Sequence, residues 1–548
     1  MRITLDAPTC RNAQTPSMWE ELERLATTLP PEIRVVILAG EGPAFSAGLD
    51  RGMLSPGGVE GEPDLLGMTA NGPEALADLI ETFQRGFTAW RECPALIVAA
   101  VQGPAIGAGF QLALAADLRE AGIEAEPAPN GHWALGYAAC GLHRRGEWLV
   151  ALRGHNRYLW SSEIYASDNL YGRYLAYASV EVLARADESG QITHPANGYV
   201  HPGWDWNRIP GATTKHLPWE LLKGDLSDTI EIMPLTRSAF GGAGSFQGEH
   251  GVFGMHLIEH PRFDPTHTAK VSRFSFDDVI VCLGSDIAND DPQHSTETTL
   301  FQVAVPTADG TDDATQLIRP TGVVDPLGNG FHLPAGQRLR RISAVQTAPD
   351  EKDTTTASVP YATALIDHGT APRGAGYEYA LLVGAGEQRT ADFTARMSTD
   401  DAPYSVVRKD AAAHVVHHRD TGITGAVVFA DLTDLDAAIT AVDAPCLLMW
   451  RSDEQTLALS VTDPDLHLYE GDDPDQFAAD GSYVGANTSY SRPWRRNTSA
   501  PSRVSITVQG RWSCDADDVT VTLAGDTTTI TVTCRDGASR DLTLTAIG

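Results

Sequence analysis

The sequence predicts a multidomain chain, α/β at its N-terminal end and mainly β beyond it. Residues 1–120 alternate short apolar runs with helical periods. From about Glu120 the long helical periods stop, and short runs separated by Gly, Asp, Asn and Pro take over. The 548 residues suffice for three or four domains at roughly 100–200 residues each.

In chain order, Ile3–Leu5 reads as a short strand, and Thr15-Pro16-Ser17 opens an amphipathic helix over Met18–Leu29. Arg34–Ala39 (RVVILA) is a continuous apolar run, as expected of a strand buried on both faces. Pro73–Arg91 is a second long helix and Ala95–Val101 a second buried strand. Gly103-Pro-Ala-Ile-Gly-Ala-Gly109 then leads into a helical pattern over Phe110–Leu118. Residues 121–129 (AGIEAEPAP) form a junction. Beyond it, runs such as Trp148–Arg153, Val279–Leu283, Thr299–Val305, Val415–His418 and Thr528–Val532 predict stacked antiparallel sheets. A split near Ala402–Ser405 gives a large sandwich over 130–402 and a smaller β domain over 403–548.

Lys and Arg number 40 against 72 Asp and Glu, a net charge of −32. That balance excludes a general nucleic-acid binder, which needs a basic footprint. It leaves room for an anionic ligand held by a local cluster of Arg and His, because a site feels its local field first. No stretch approaches the ~20 apolar residues of a spanning helix, so no membrane partner is expected. Seven cysteines make no disulfide framework. Cys514 and Cys534 flank two β-rich runs and read first as free buried thiols, with a bridge across neighbouring strands as the alternative. Neither a metal nor a cofactor is expected, and Asp286–Asp291 and Asp472–Asp475 read as solvated turns. The opening MRITLDAPTC shows no charged segment followed by an apolar core, and hence no secretory signal.

Two glycine turns stand out in the first 120 residues. Phe45-Ser-Ala-Gly-Leu-Asp50 follows a strand, and Gly107-Ala-Gly109 lies between a strand and a helix start, about sixty residues on. Backbone N–H groups at such turns can converge on an oxyanion. Together with the strand before them they resemble the enoyl-CoA hydratase/isomerase (crotonase) family over residues 3–119. The resemblance implies an oxyanion hole at Ala47 and Ala108, with acyl-CoA as the ligand. Gln111 stands where many hydratases of that family carry a Glu, and the second half of the family fold is not present. A truncated crotonase-like segment is therefore expected.

After the junction come dense aromatic and polar clusters: Leu142-His-Arg-Arg145, Asn169-Leu-Tyr-Gly-Arg-Tyr174 and Gly203-Trp-Asp-Trp-Asn-Arg208 among them. Aromatic faces beside hydrogen-bonding polar groups suit pyranose rings and carboxylates. His143, Arg144, Asn169, Tyr171, Trp204, Trp206, Asn207 and Arg208 are the candidate substrate-binding residues. SSEIYASDNLYGRY, GWDWNRIPGATTKHLP, FDPTHTAK and ETTLFQ resemble, in this order, the chondroitin ABC lyase branch of the family-eight polysaccharide lyases.

That resemblance implies a β-supersandwich followed by a C-terminal β-sandwich, and β-elimination at a uronate of an acidic polysaccharide of the chondroitin, dermatan or hyaluronan type. An Arg and a His or Asn hold the uronate carboxylate, a Tyr moves the proton, and a Glu orients the Arg. Arg173 matches that Arg. Aligned without a gap the Glu position is Gln247, with Glu249 two residues on. The family's His and Tyr come from an α/α-toroid, where this sequence has the crotonase-like segment. His132 and Tyr137 lie downstream of that region and are set aside. The expected function is a lyase-like protein impaired for want of its proton-moving pair, the alternatives being a non-catalytic glycan-binding remnant and a crotonase-type acyl-CoA enzyme. The lyase resemblance implies an extracellular or periplasmic protein, the crotonase resemblance a cytoplasmic one.

Overall fold

A computed structural model describes residues 1–54, 58–63, 73–120, 129–165, 168–227, 229, 231–471, 494 and 497–547. Most of the junction and the whole of Asp472–Asp475 lie outside them. The chain forms two compact units, Met1–Ala128 and Pro129–Gly548.

In the first unit β1 (Arg2–Leu5), β2 (Val35–Gly40), β3 (Leu96–Ala100) and β4 (Leu118–Glu120) form one parallel sheet in that order. Helices α1 (Pro16–Thr27) and α2 (Pro73–Glu92) pack on each other. Their crossing is close at Gly86, where a Cβ would come within 2.8 Å of the Trp19 side chain. Val36, Leu38, Ile97 and Ala99 are buried with Trp19, Leu22 and Trp90. The opposite face differs from the expectation of two buried faces, for Val35, Ile37 and Leu96 are 37–42% exposed. The third helix also differs. It runs over Ala108–Leu114 (α3), and Leu118–Glu120 is instead the fourth strand. The turn between them is tied to the sheet by the Ile97 N–H, which donates to the Asp117 carboxylate at 2.8 Å.

The second unit begins with a four-stranded antiparallel sheet of Gly131–Leu135, Cys140–Arg145, Trp148–Arg153 and Ser179–Leu183. Two larger sheets of seven and five strands follow, sharing a core that includes Val271, Ile280, Leu300, Phe331 and Ile366. Two more, of seven and five strands, begin at Tyr404 and enclose Val415, Leu448, Val504 and Ile530. The two seven-stranded sheets also pack on each other through Phe274, Val281, Val416, Val427 and Leu447. Strands between two layers lose the polar-out alternation of an exposed sheet, which is why Thr268–Phe276 is buried at successive positions.

Cys514 and Cys534 are free thiols. Thr527–Cys534 belongs to the five-stranded C-terminal sheet, whereas Trp512–Ser513, just before Cys514, joins the seven-stranded one. The Asp286–Asp291 turn is not merely solvated: Asp286 faces Lys270, Asp290 faces Arg373, and Asp291 faces Lys215 and His294.

Candidate functional site

Arg173 lies in a short 3-10 turn, Gly172–Tyr174. Asn169 enters that turn with φ 52°, a left-handed conformation that Asn tolerates better than most residues. A Cβ on Gly172 would run into the Asn169 amide, so the turn closes only with glycine there. The result is a guanidinium pointed inward. Arg173 is 3% exposed, and its Nε donates to Glu259 Oε1 at 2.6 Å.

Glu259 follows directly on the strand His250–Ile258 and is completely buried. The same Oε1 meets Arg173 Nη2 and accepts from the Tyr177 hydroxyl at 3.3 Å, while Arg173 Nη1 donates to the Leu221 carbonyl at 3.3 Å. The Phe263 ring lies 4.1 Å from the guanidinium carbon. Burial by itself lowers the Arg173 pKa, but the Glu259 charge outweighs it and the net shift is upward. His260, next in the chain, is pushed down to about 3 by burial, aided by the charges of Arg262, His155 and Arg173. It is neutral near pH 7.

Arg173 opens on a depression of about 520 Å³ whose other cations are Lys215, Lys223 and Arg262. Each is held. Lys215 meets Asp264 at 2.6 Å and Asp291 at 3.4 Å, Lys223 meets Asp353 at 2.6 Å, and Arg262 donates to the Asp225 carbonyl at 2.9 Å. Asp353 also accepts from the Tyr171 hydroxyl at 2.9 Å. A guanidinium has five N–H donors. Three face Glu259 and Leu221, and the other two have no hydrogen-bond partner among the described residues. Among the described residues no group of three or more His, Cys, Asp or Glu side chains is arranged to hold a metal ion.

The sequence-predicted residues divide. Arg173 belongs to the depression, and Tyr171 is tied to it through Asp353 and Lys223. Gln247 and Glu249 do not orient Arg173. Gln247 has φ 55° at the turn between two strands and its N–H donates to Asp541, while Glu249 faces Arg145 at 3.7 Å. An ungapped alignment put the acid at the hairpin turn, whereas the side chain that reaches Arg173 comes from the far end of the second strand.

His143 is buried with Nε2 on the Asp277 carbonyl, and Arg144 is its half-buried strand neighbour. Asn169 shapes the turn, its Nδ2 donating to the Glu163 carbonyl at 2.6 Å. Asn207 and Arg208 are internal braces. Asn207 brackets the Leu217 backbone, and Arg208 pairs with Glu297 at 2.9 Å and Asp205 at 3.3 Å. Trp204 and Trp206 are 5% and 4% exposed and line a different cavity. Of the set-aside pair, His132 is buried and Tyr137 donates to Asp536; neither lines the depression. Glu259, Lys215, Lys223 and Arg262 were not singled out. The available signal was Glu259-His-Pro-Arg262, a charged step at the end of an apolar strand, just before the FDPTHTAK motif.

In the first unit the two glycine turns lie side by side, bridged at Ser46 and Ala105, and Gly48 (φ 86°) packs against the Ile106 carbonyl. Ala47 is not a free donor, since its N–H bonds to the Arg11 carbonyl at 2.8 Å. Asp50 N–H and Gly48 C=O pair with Gln14, so the N–H of that turn left without an acceptor among the described residues belongs to Leu49. The Ala108 N–H, in the first residue of α3, likewise has no acceptor among the described residues.

Comparison with known proteins matches these parts separately. Residues 131–394 match the super-sandwich domain of polysaccharide lyase family 8, and residues 405–468 that family's C-terminal β-sandwich domain. Residues 1–142 match the enoyl-CoA hydratase/isomerase family. The chain is 35% identical over 453 residues to the chondroitin sulfate ABC exolyase of Bacteroides thetaiotaomicron, covering 80% of this chain and 44% of that protein. It thus spans less than half the length of that relative. A probable enoyl-CoA hydratase of Mycobacterium tuberculosis is 35% identical over 153 residues, 27% of this chain and 52% of that protein. The chondroitin AC lyase of Streptomyces coelicolor A3 superposes with a TM-score of 0.61 at 20% identity, covering 90% of this chain and 61% of that one, a likeness of fold.

Proposed function

We propose, from the premise that residues 131–394 and 405–468 carry two domains of family-eight polysaccharide lyases, that the chain binds an acidic polysaccharide of the chondroitin type at the Arg173 depression and eliminates it slowly or not at all. One observation carries this: a buried Arg173–Glu259 pair at an opening where Lys215, Lys223 and Arg262 stand among Glu220, Asp225 and Asp291. A fixed guanidinium with two spare N–H groups matches a uronate carboxylate bidentately. Neutralising that carboxylate acidifies the C5 proton, which a base must then remove before the C4–O bond breaks.

The tyrosines around Arg173 are unsuited to be that base. Burial raises Tyr174 and Tyr177, and their partial relief by the Arg173 charge does not reverse it. Tyr171 is raised by burial and by its bond to Asp353. A phenol that holds its proton so firmly cannot take one. None of these tyrosines is therefore a poised proton acceptor; the other titratable ring on the lining is His294, whose Nδ1 is held by Asp291 at 2.8 Å.

Chondroitin sulfate binding by calorimetry, with ultraviolet absorbance of unsaturated uronate followed in parallel, tests both halves. The expected result is salt-sensitive binding, little absorbance, and about fivefold weaker affinity in each of Lys223→Ala and Arg262→Ala. Rapid release of unsaturated product, or binding indifferent to both substitutions, would overturn the reading.

A second reading concerns the first unit alone. The Leu49 and Ala108 N–H groups, without an acceptor among the described residues, favour a thioester oxygen, and acyl-CoA would then protect unit 1 peptides from hydrogen exchange.

A further inference from the structure

Trp204 and Trp206 leave the Arg173 depression without an indole, yet they are not packed away from every opening. With Tyr199 and His201 they line a second cavity of about 220 Å³, whose polar lining includes Glu181 and Arg153. The Trp206 indole N–H is already spent on the Pro349 carbonyl at 2.9 Å, so that ring offers apolar surface rather than a donor. His201 stacks edge-on to Trp206 at 5.4 Å, with a side chain 64% exposed. Glu181 holds the exposed His194 at 2.7 Å.

The two cavities differ in charge. The depression sets four cations, among them the buried Arg173, against the carboxylates of Glu220, Asp225 and Asp291, a positive surplus. The aromatic cavity sets one exposed arginine against one carboxylate. A uronate would gain little there and would meet the Glu181 carboxylate. An uncharged ring with one apolar face and hydrogen-bonding substituents matches the lining better.

We propose that this cavity is a separate subsite for an unsulfated N-acetylated amino sugar of the polymer, the acetamido methyl against the indoles and the polar atoms toward His201 and Glu181. The assignment rests on the reading of the chain as a glycosaminoglycan binder. It adds a subsite that does not involve Arg173 or its cations.

Saturation-transfer NMR on the full chain with free N-acetylgalactosamine tests it. Transfer should be strongest to the acetamido methyl, and affinity about fivefold weaker in His201→Ala and in Glu181→Ala. Both side chains reach solvent, so these variants should keep the fold, which the amide spectrum checks. Lys223→Ala should leave the transfer unchanged. Loss of transfer only in Lys223→Ala would place the sugar in the Arg173 depression and overturn the proposal. Equal transfer to glucuronic acid at the same cavity would do so as well. Absent transfer in a protein that still binds chondroitin sulfate would refute this subsite and leave the first reading standing.

Discussion

A guanidinium and a carboxylate removed from water together cost several kcal/mol each in lost hydration, and their attraction restores this only in good geometry. Arg173 and Glu259 have that geometry, yet among the described residues one oxygen, Oε1, takes every contact while the buried Oε2 has none. A pair built for stability alone would share its contacts across both oxygens. The arrangement instead fixes the guanidinium's direction and leaves N–H groups for a ligand. Glu259→Gln removes the counter-charge and strands a buried cation, so urea unfolding should show a loss of about 3–5 kcal/mol. A double replacement, Arg173→Met with Glu259→Leu, should recover most of that loss and abolish chondroitin sulfate binding. A double variant that still bound the polymer normally would show the pair to be an ordinary brace.

The turn after strand Arg338–Pro349 is the element that ties the site loops together. Glu351 accepts from the Leu170 N–H, and Asp353 holds both Tyr171 and Lys223. Asp353→Asn should free Lys223 for a ligand carboxylate and remove one negative charge from the approach of a polyanion. Chondroitin sulfate affinity should rise severalfold at low salt and return toward the parent value at high salt; weaker binding would show that the clasp preorganises the site. No local pattern points from Asp353 to Lys223, 130 residues earlier, which is why this contact was invisible in the sequence. What was legible followed from local chemistry. The parallel strands of the first unit, both long helices and the short antiparallel runs are fixed by period and by turn residues. Arg173 was legible because its motif is contiguous. Glu259 was not, because its partnership is set by how two distant segments meet. Trp204 and Trp206 line a second cavity rather than the depression at Arg173, a placement that sequence order does not give.

At the scale of the whole molecule, the histidines divide the chain. All 17 lie beyond residue 128, in the second unit. Burial pushes His143, His155, His256, His332, His368 and His418 down to about 4, and His260 and His414 to about 3. The sign follows directly. Above the unfolded value of 6.5 these groups are neutral in both states and pH has no purchase on them. Below it the unfolded chain takes up protons that the folded unit refuses, and each such histidine removes about 1.4 kcal/mol of stability per pH unit until its folded pKa is reached. Asp205, whose bond to His216 and proximity to Arg208 outweigh its burial and hold it at about 2, extends the loss below pH 4. The first unit, with no histidine, has no such term between pH 6.5 and 4.5. Hydrogen exchange followed peptide by peptide on the intact chain should therefore show residues 129–548 losing protection steeply as pH falls through that window, after correction for intrinsic exchange, while peptides from residues 1–120 hold theirs. Equal loss in both units would mean that the buried histidines are not what sets the acid limit of the fold.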